Sequence, residues 1–131
     1  MFRLKEDGNM IGLKDSSNDR DCTRLLATRL RAQTAFSYLH GNELLMLEAA
    51  SCGAHGAMAS LANLAPRLLA DAFDAGRETD ATQQEIAALI GAFGLFEERP
   101  QDSTTLRLMA LKAVPHALGI MDTHMAQLPL H

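Results

Sequence analysis

Residues 9–77 alternate three times between a short run suited to a β-strand and a longer run suited to a helix. No other feature of the chain restricts its fold as much. The first strand-like run is Met10–Lys14, followed by Ser16-Ser17-Asn18-Asp19, a cluster of N-cap residues. A helical pattern then extends to about Ala32, with Leu25, Leu26 and Leu30 inward and Arg20, Arg24 and Arg31 outward. β-branched and aromatic residues over Thr34–Leu39 predict a second strand, which His40-Gly41-Asn42 breaks. Glu43–Ser51, rich in Leu, Met and Ala, predicts the second helix, ended by Gly53-Ala54-His55-Gly56. The third unit pairs a strand over Ala57–Ser60 with a helix that has Pro66 in its first turn, runs to about Ala75 and stops at Gly76. Strands alternating with helices predict parallel β/α structure, because parallel neighbours need a crossover.

Three parallel strands cannot close a barrel, and an open sheet of three leaves an edge on each side. A complete (β/α)8 barrel takes about 250 residues, whereas this chain has 131. The expectation is therefore the C-terminal part of something larger, with Met1–Lys5 as the last turn of a preceding element. Beyond Gly76 the pattern turns helical: Asp80 caps a helix over Ala81–Phe96 with Gln83 at its third position. A polar loop over Glu97–Asp102 precedes a last helix from Ser103 to Leu118, interrupted at Pro115 and ended by Gly119. The expected divisions are barrel-like residues 1–77, a helical extension over 78–120, and an extended or frayed tail over 121–131.

Charge and cysteine content exclude several functions. The net charge is −4 and the three lysines, Lys5, Lys14 and Lys112, are far apart, so no nucleic-acid footprint is expected. Cys22 and Cys52 lack ligand or disulfide spacing and suit a reducing cytoplasm. The N-terminus has no signal-peptide pattern, and no apolar stretch is long enough to span a bilayer. His40, His55 and Cys52 lack the spacing of metal ligands, so no metal is expected.

Lys14 is the residue with most chemical content. Strand side chains alternate faces, so Gly12 and Lys14 share one and Ile11 and Leu13 the other. The C-terminal end of a parallel strand is where such folds place their chemistry. Among apolar walls an ammonium loses hydration, which favours the neutral amine that attacks carbonyls. The plainer reading is a lysine at a strand end reaching water.

Three segments carry a family resemblance: Gly12-Leu13-Lys14-Asp15-Ser16-Ser17; His40-Gly41-Asn42-Glu43; and Gly53-Ala54-His55-Gly56-Ala57-Met58-Ala59-Ser60-Leu61-Ala62-Asn63-Leu64-Ala65-Pro66-Arg67. In order and spacing they resemble strands six to eight of the dihydrodipicolinate synthase / N-acetylneuraminate lyase family, and residues 80–119 resemble its C-terminal helical extension. The resemblance implies an α/β fold, a partial (β/α)8 TIM barrel, and a cytoplasmic class I aldolase-type lyase. Its substrate would be pyruvate or another 2-oxo acid, with a 2-keto-3-deoxy acid aldolase favoured over a dihydrodipicolinate synthase-like enzyme.

Lys14 matches the Schiff-base lysine, Ser16 a hydroxyl residue near substrate, and Gly41 a site of close backbone approach. Glu43 matches an acidic residue for substrate hydroxyls, Met58 a position whose backbone carbonyl faces the site, and Ser60 a substrate-contacting serine. Glu43 also reads as a helix N-terminal acid favoured by the dipole, and Ser60 and Asn63 as turn or cap residues. No cofactor, nucleic acid or membrane is implied. The partners are the 2-oxo acid and either a second copy of the chain, as in a homo-oligomer, or a missing half-barrel. The family's carboxylate-gripping loop and proton-shuttling tyrosine lie upstream of the lysine strand, and Tyr38, the one tyrosine, sits in the wrong segment and reads as packing. The alternatives are an inert truncated fragment and a small helical binding module.

Overall fold

Strands β1 (Gly12–Asp15), β2 (Ser37–His40) and β3 (Gly56–Ala57) lie side by side and parallel, in the order β1-β2-β3. The protein is described here by a computed structural model covering residues 8–75, 80–92 and 103–125. Helix α1 (Arg20–Leu30) joins β1 to β2, and α2 (Glu43–Ser51) joins β2 to β3. A 3-10 helix (Ser60–Asn63) and α3 (Pro66–Ala75) follow β3, and then come α4 (Asp80–Ala92) and α5 (Ser103–Ala117). The parallel sheet with its crossover helices agrees with the β/α expectation and excludes an all-helical module. Among the described residues no helix is long and apolar enough to cross a membrane.

The register pairs Gly12 with Ser37, Leu13 with Tyr38, Lys14 with Leu39 and Asp15 with His40. Paired residues of parallel strands share a face. The face carrying Leu13 and Tyr38 is the one the helices cover: Tyr38 joins Ala27, Leu30 and Phe36 in a buried cluster, with Leu13, Leu26, Cys52 and Ala54 packed against it. A second cluster unites the later elements through Met46, Leu47, Leu61, Leu69, Ala72, Ile86 and Leu111. Each large aliphatic side chain so buried contributes about 1.5–3 kcal/mol. Helices α4 and α5 thus anchor on the same core as α2 and α3.

Several boundaries differ from those read in the sequence. β2 starts at Ser37, not Thr34, because Thr34 and Ala35 form a turn and Phe36 is buried against Leu30. His40 does not break the strand but ends inside it, fully buried. β3 is confined to Gly56–Ala57, and Ser60 opens a 3-10 helix. β1 begins at Gly12, leaving Ile11 outside the strand and 85% exposed. In α1, Leu25 is exposed while Thr23 and Ala27 take the inward positions.

α5 runs through Pro115 to Ala117, and Gly119, whose positive φ suits glycine, lies in the turn that closes it. Up to Met125 the tail folds back along α5: Lys112 Nζ donates to the Met125 carbonyl at 2.9 Å. The readings for Met1–Lys5, Gly76, Phe93–Phe96, Glu97–Asp102 and the tail beyond Met125 lie outside the described residues.

Arg20 and Arg24 lie on the exposed face of α1, as expected, and their head groups also reach the buried Glu48 of α2. Arg20 Nη1 stands 3.0 Å from Glu48 Oε2, and Arg24 Nε pairs with Oε1. A carboxylate withdrawn from water needs such partners, so the two arginines fix α1 against α2.

Candidate active site

The C-terminal ends of the three strands open onto loops that hydrogen bonds tie together. Asp19 caps α1 by accepting from the Cys22 amide, and Asn42 caps α2 by accepting from the Leu44 amide at 2.9 Å. The Asn42 side-chain amide also donates to Asn18 Oδ1 at 3.0 Å, which links the first loop to the second. The Gly41 amide donates to the Asp15 carbonyl at 2.7 Å. Glu43, only 2% exposed, accepts from the Leu61 amide at 2.9 Å and links the second loop to the 3-10 helix. Two of these bonds come from residues that each also cap or start α2.

Within this frame Lys14, Ser16 and Gly41 come together. A Cβ built on Gly41 would stand 2.4 Å from Ser16 Oγ and 2.6 Å from Lys14 Cε. The missing side chain is therefore what lets the lysine arm and the serine hydroxyl lie across the end of β2. Lys14 lies on the sheet face opposite Tyr38, and it is exposed. The apolar walls expected around it are not formed by the described residues.

The other predicted site residues stand elsewhere. The Glu43 carboxylate is buried on the Leu61 amide. The Met58 side chain is 55% exposed, and its amide donates to the His40 carbonyl at 2.8 Å. Ser60 begins the 3-10 helix, and its carbonyl accepts from Asn63 Nδ2 at 2.9 Å. His55 Nδ1 accepts from the Tyr38 amide at 3.1 Å. Among the described residues no three His, Cys, Asp or Glu side chains group as metal ligands.

Beneath the lysine, on the helix-covered face, lies a polar network that the sequence reading missed. Tyr38 Oη donates to Asp15 Oδ2 at 3.1 Å and lies 3.3 Å from His40 Nδ1. Asp15 Oδ1 accepts from the Ser17 amide at 2.8 Å. An ionised carboxylate only accepts, so the tyrosine proton points to Asp15 and His40 Nδ1 must then donate to the tyrosine oxygen. That tautomer leaves His40 Nε2 as a bare lone pair, buried and without a hydrogen-bond partner. The signal was present: Tyr38 and His40 are two apart on one strand and so share a face. The network holds Asp15 and the turn to Ser17, and hence the loop that carries Ser16.

The network's ionisation follows from its surroundings. Burial alone would raise the Asp15 carboxyl, but the hydrogen bonds from Ser17 and Tyr38 and the nearby His40 outweigh it and hold the carboxyl below its usual value. Burial, with the Asp15 charge beside it, pushes the Tyr38 hydroxyl up. Burial pushes the His40 imidazole down, against the opposing pull of Asp15 and Glu43. For both His40 and Asp15 the folded value is the lower one, so the unfolded chain binds more protons and stability rises with pH. The His40 contribution should be complete above about pH 6.5 and fall away below it, and the Asp15 contribution should be lost below about pH 4. Urea denaturation midpoints measured between pH 8 and pH 3.5 should show both losses. In His40→Gln the upper one should flatten; an unchanged profile in that variant would exclude His40 as its source.

The sequence profile of the dihydrodipicolinate synthetase family matches residues 1–131. A 4-hydroxy-tetrahydrodipicolinate synthase of Anaeromyxobacter sp. (strain Fw109-5) is 31% identical over 78 residues, which are 60% of this chain and 26% of that protein. The enzyme of the same name from Sphingopyxis alaskensis is 38% identical over 71 residues, 54% of this chain and 24% of that protein. The solved dihydrodipicolinate synthase of Bacteroides thetaiotaomicron superposes with a TM-score of 0.74 at 28% identity, covering 99% of this chain and 44% of that one. The dihydrodipicolinate synthase of Aquifex aeolicus shares the fold, with a TM-score of 0.63 at 24% identity over 43% of its length. The chain thus spans about a quarter of the curated relatives it matches and under half of these solved structures. With the family profile matching from end to end, the chain belongs to the dihydrodipicolinate synthetase family.

Proposed function

We propose that this chain carries the Schiff-base end of an aldolase-type lyase active site, with Lys14 as the nucleophile toward pyruvate or another 2-oxo acid. One observation supports the reading above the others: the Lys14 arm lies against the bare Cα of Gly41 beside Ser16, at the C-terminal end of a parallel strand. In this reading β1, β2 and β3 are strands six, seven and eight of a (β/α)8 barrel. Residues 1–77 form the barrel part, 78–120 the helical extension and 121–131 the tail.

The chemistry follows from the amine. Neutral Lys14 Nζ adds to the C2 carbonyl of the 2-oxo acid, and loss of water with uptake of one proton from solvent gives a protonated imine. The imine withdraws electrons, so a proton can leave C3 and the resulting enamine can attack an aldehyde carbon. Hydrolysis then returns the lysine and releases the adduct. The Ser16 hydroxyl can donate to the substrate carboxylate or to the departing water. A positioned acid or base contributes about 10²–10⁴-fold in such proton transfers. The open lysine face is where the remaining barrel wall would complete the site, and supplying that wall, from a homo-oligomer or a half-barrel partner, raises the rate.

Reductive trapping tests the reading. Incubation with pyruvate and cyanoborohydride should add about 72 Da to one amine by reductive alkylation. Peptide mapping should place the label on Lys14 in preference to Lys112, and Lys14→Arg should lose it. Equal labelling of all lysines, or none on Lys14, would mark the chain as an inert fragment.

A further inference from the structure

His116 and His124 lie outside the candidate active site, and nothing in the proposed reaction uses them. His116 is in the last turn of α5, and His124 follows the turn that brings the chain back along that helix. Gly119 makes the reversal with φ of 70°, and the Ile120 amide donates to the Pro115 carbonyl at 2.8 Å. Lys112 Nζ, on the Met125 carbonyl at 2.9 Å, secures the returning segment. The two imidazole rings then lie side by side, tilted, with centroids 5.0 Å apart and planes inclined at 41°.

That separation matches two imidazoles on one metal ion. With metal–nitrogen bonds of about 2.0–2.1 Å, an ion sits about 3.2 Å from each ring centre, and centres about 5 Å apart then subtend roughly 103° at it, near the tetrahedral angle. The second observation concerns the proton. His116 Nδ1 lies 3.0 Å from the Met121 carbonyl oxygen, which can only accept, so Nδ1 carries the hydrogen and Nε2 keeps its lone pair. Metal-binding histidines are oriented in this way, by donating the other ring N–H to a carbonyl or carboxylate. Both rings are exposed, so water can reach the remaining coordination positions. The nearby Lys112 ammonium is engaged by Met125, and Asp122 in the same turn is the nearest acidic residue in sequence to both rings.

We propose that His116 and His124 form a two-imidazole site for a borderline divalent metal ion of the zinc type, which staples residues 118–125 to the end of α5. Imidazole donors favour zinc, nickel and copper over magnesium and calcium. Because each ring binds only when neutral, occupancy falls as the solution is acidified.

The test is a titration of the tag-free chain with zinc chloride at pH 7.5, followed by calorimetry and by histidine ring signals in NMR. One ion per chain is expected, with the His116 and His124 signals shifting and those of His55 unmoved. Affinity should fall at least tenfold in both His116→Gln and His124→Gln and stay unchanged in His55→Gln, and magnesium should not compete. Circular dichroism should show both variants folded, since both rings are at the surface. Absence of zinc binding to the native chain, or binding that survives both substitutions, would overturn the proposal.

Discussion

Gly41→Ala should abolish most Lys14 labelling while leaving the fold intact. The new Cβ would fall 2.4 Å from Ser16 Oγ and 2.6 Å from Lys14 Cε, both well inside contact distance. Both are ends of flexible side chains and can move, so the backbone need not give way. The third neighbour, the Asp15 carbonyl oxygen at 3.3 Å, asks for a shift of only a few tenths of an ångström. The cost in stability should stay within about 1 kcal/mol, in the range of surface or mild packing changes. The cost in chemistry is larger, because both groups are expelled from the end of β2. A displacement of about 1 Å in a reacting group costs on the order of 10²-fold. Trapping rates with pyruvate and urea denaturation of the same variant separate the two effects. A variant that labels as fast as the native chain would show that the close approach to Gly41 does not position the lysine.

Tyr38 should show the opposite pattern, a large loss of stability. Its side chain is fully buried between sheet and α1, among Ala27, Leu30 and Phe36. Tyr38→Ala opens a cavity in that cluster and should cost about 3–5 kcal/mol, as aromatic truncations in cores do. Against a typical total of about 5–15 kcal/mol this brings the fold close to its limit. Tyr38→Phe keeps the volume but removes the hydroxyl, leaving Asp15 Oδ2 and His40 Nδ1 without it. Buried groups stripped of a partner cost about 1–3 kcal/mol. Denaturant unfolding of the two variants should therefore rank alanine well below phenylalanine, with phenylalanine below the native chain. If phenylalanine matched tyrosine in stability, the hydroxyl network would contribute nothing.

The alternation of elements was legible in the sequence because it rests on period and on caps. Asp19 caps α1 from within the cluster of N-cap residues read there, and Glu43–Ser51 is a helix at both predicted ends, capped by Asn42, which the sequence offered only as a strand breaker. Strand limits were less legible, since hydrogen-bonded register, not composition, decides them. Thr34 and Ala35 look like strand residues but lie before the first bond to β1, the Ser37 amide on the Ile11 carbonyl. His40 looks like a breaker, yet burial beside Tyr38 makes it strand.

At the site, Lys14 stood out from its place at a strand end, whereas Ser16 and Gly41 were named only through the family resemblance, and the structure brings the three together. The inward turn of Glu43 was not legible, because its partner is a backbone amide eighteen residues away. Nor was the pairing of Arg20 and Arg24 with Glu48, because that carboxylate lies on another helix.

The two faces of β1 divide two kinds of demand between neighbouring residues. Asp15 is bound into the layer beneath the helices, while Lys14, one residue earlier, stands on the side the described residues leave open, beside Ser16 and the bare Cα of Gly41. Substitutions on the uncovered side can therefore alter which molecules are handled at little thermodynamic penalty, whereas those on the covered side are tested first for whether the chain folds. Selection can retune selectivity along every second position of a strand without disturbing the scaffold, and a library confined to those alternate positions should yield many more soluble variants than one spread over both.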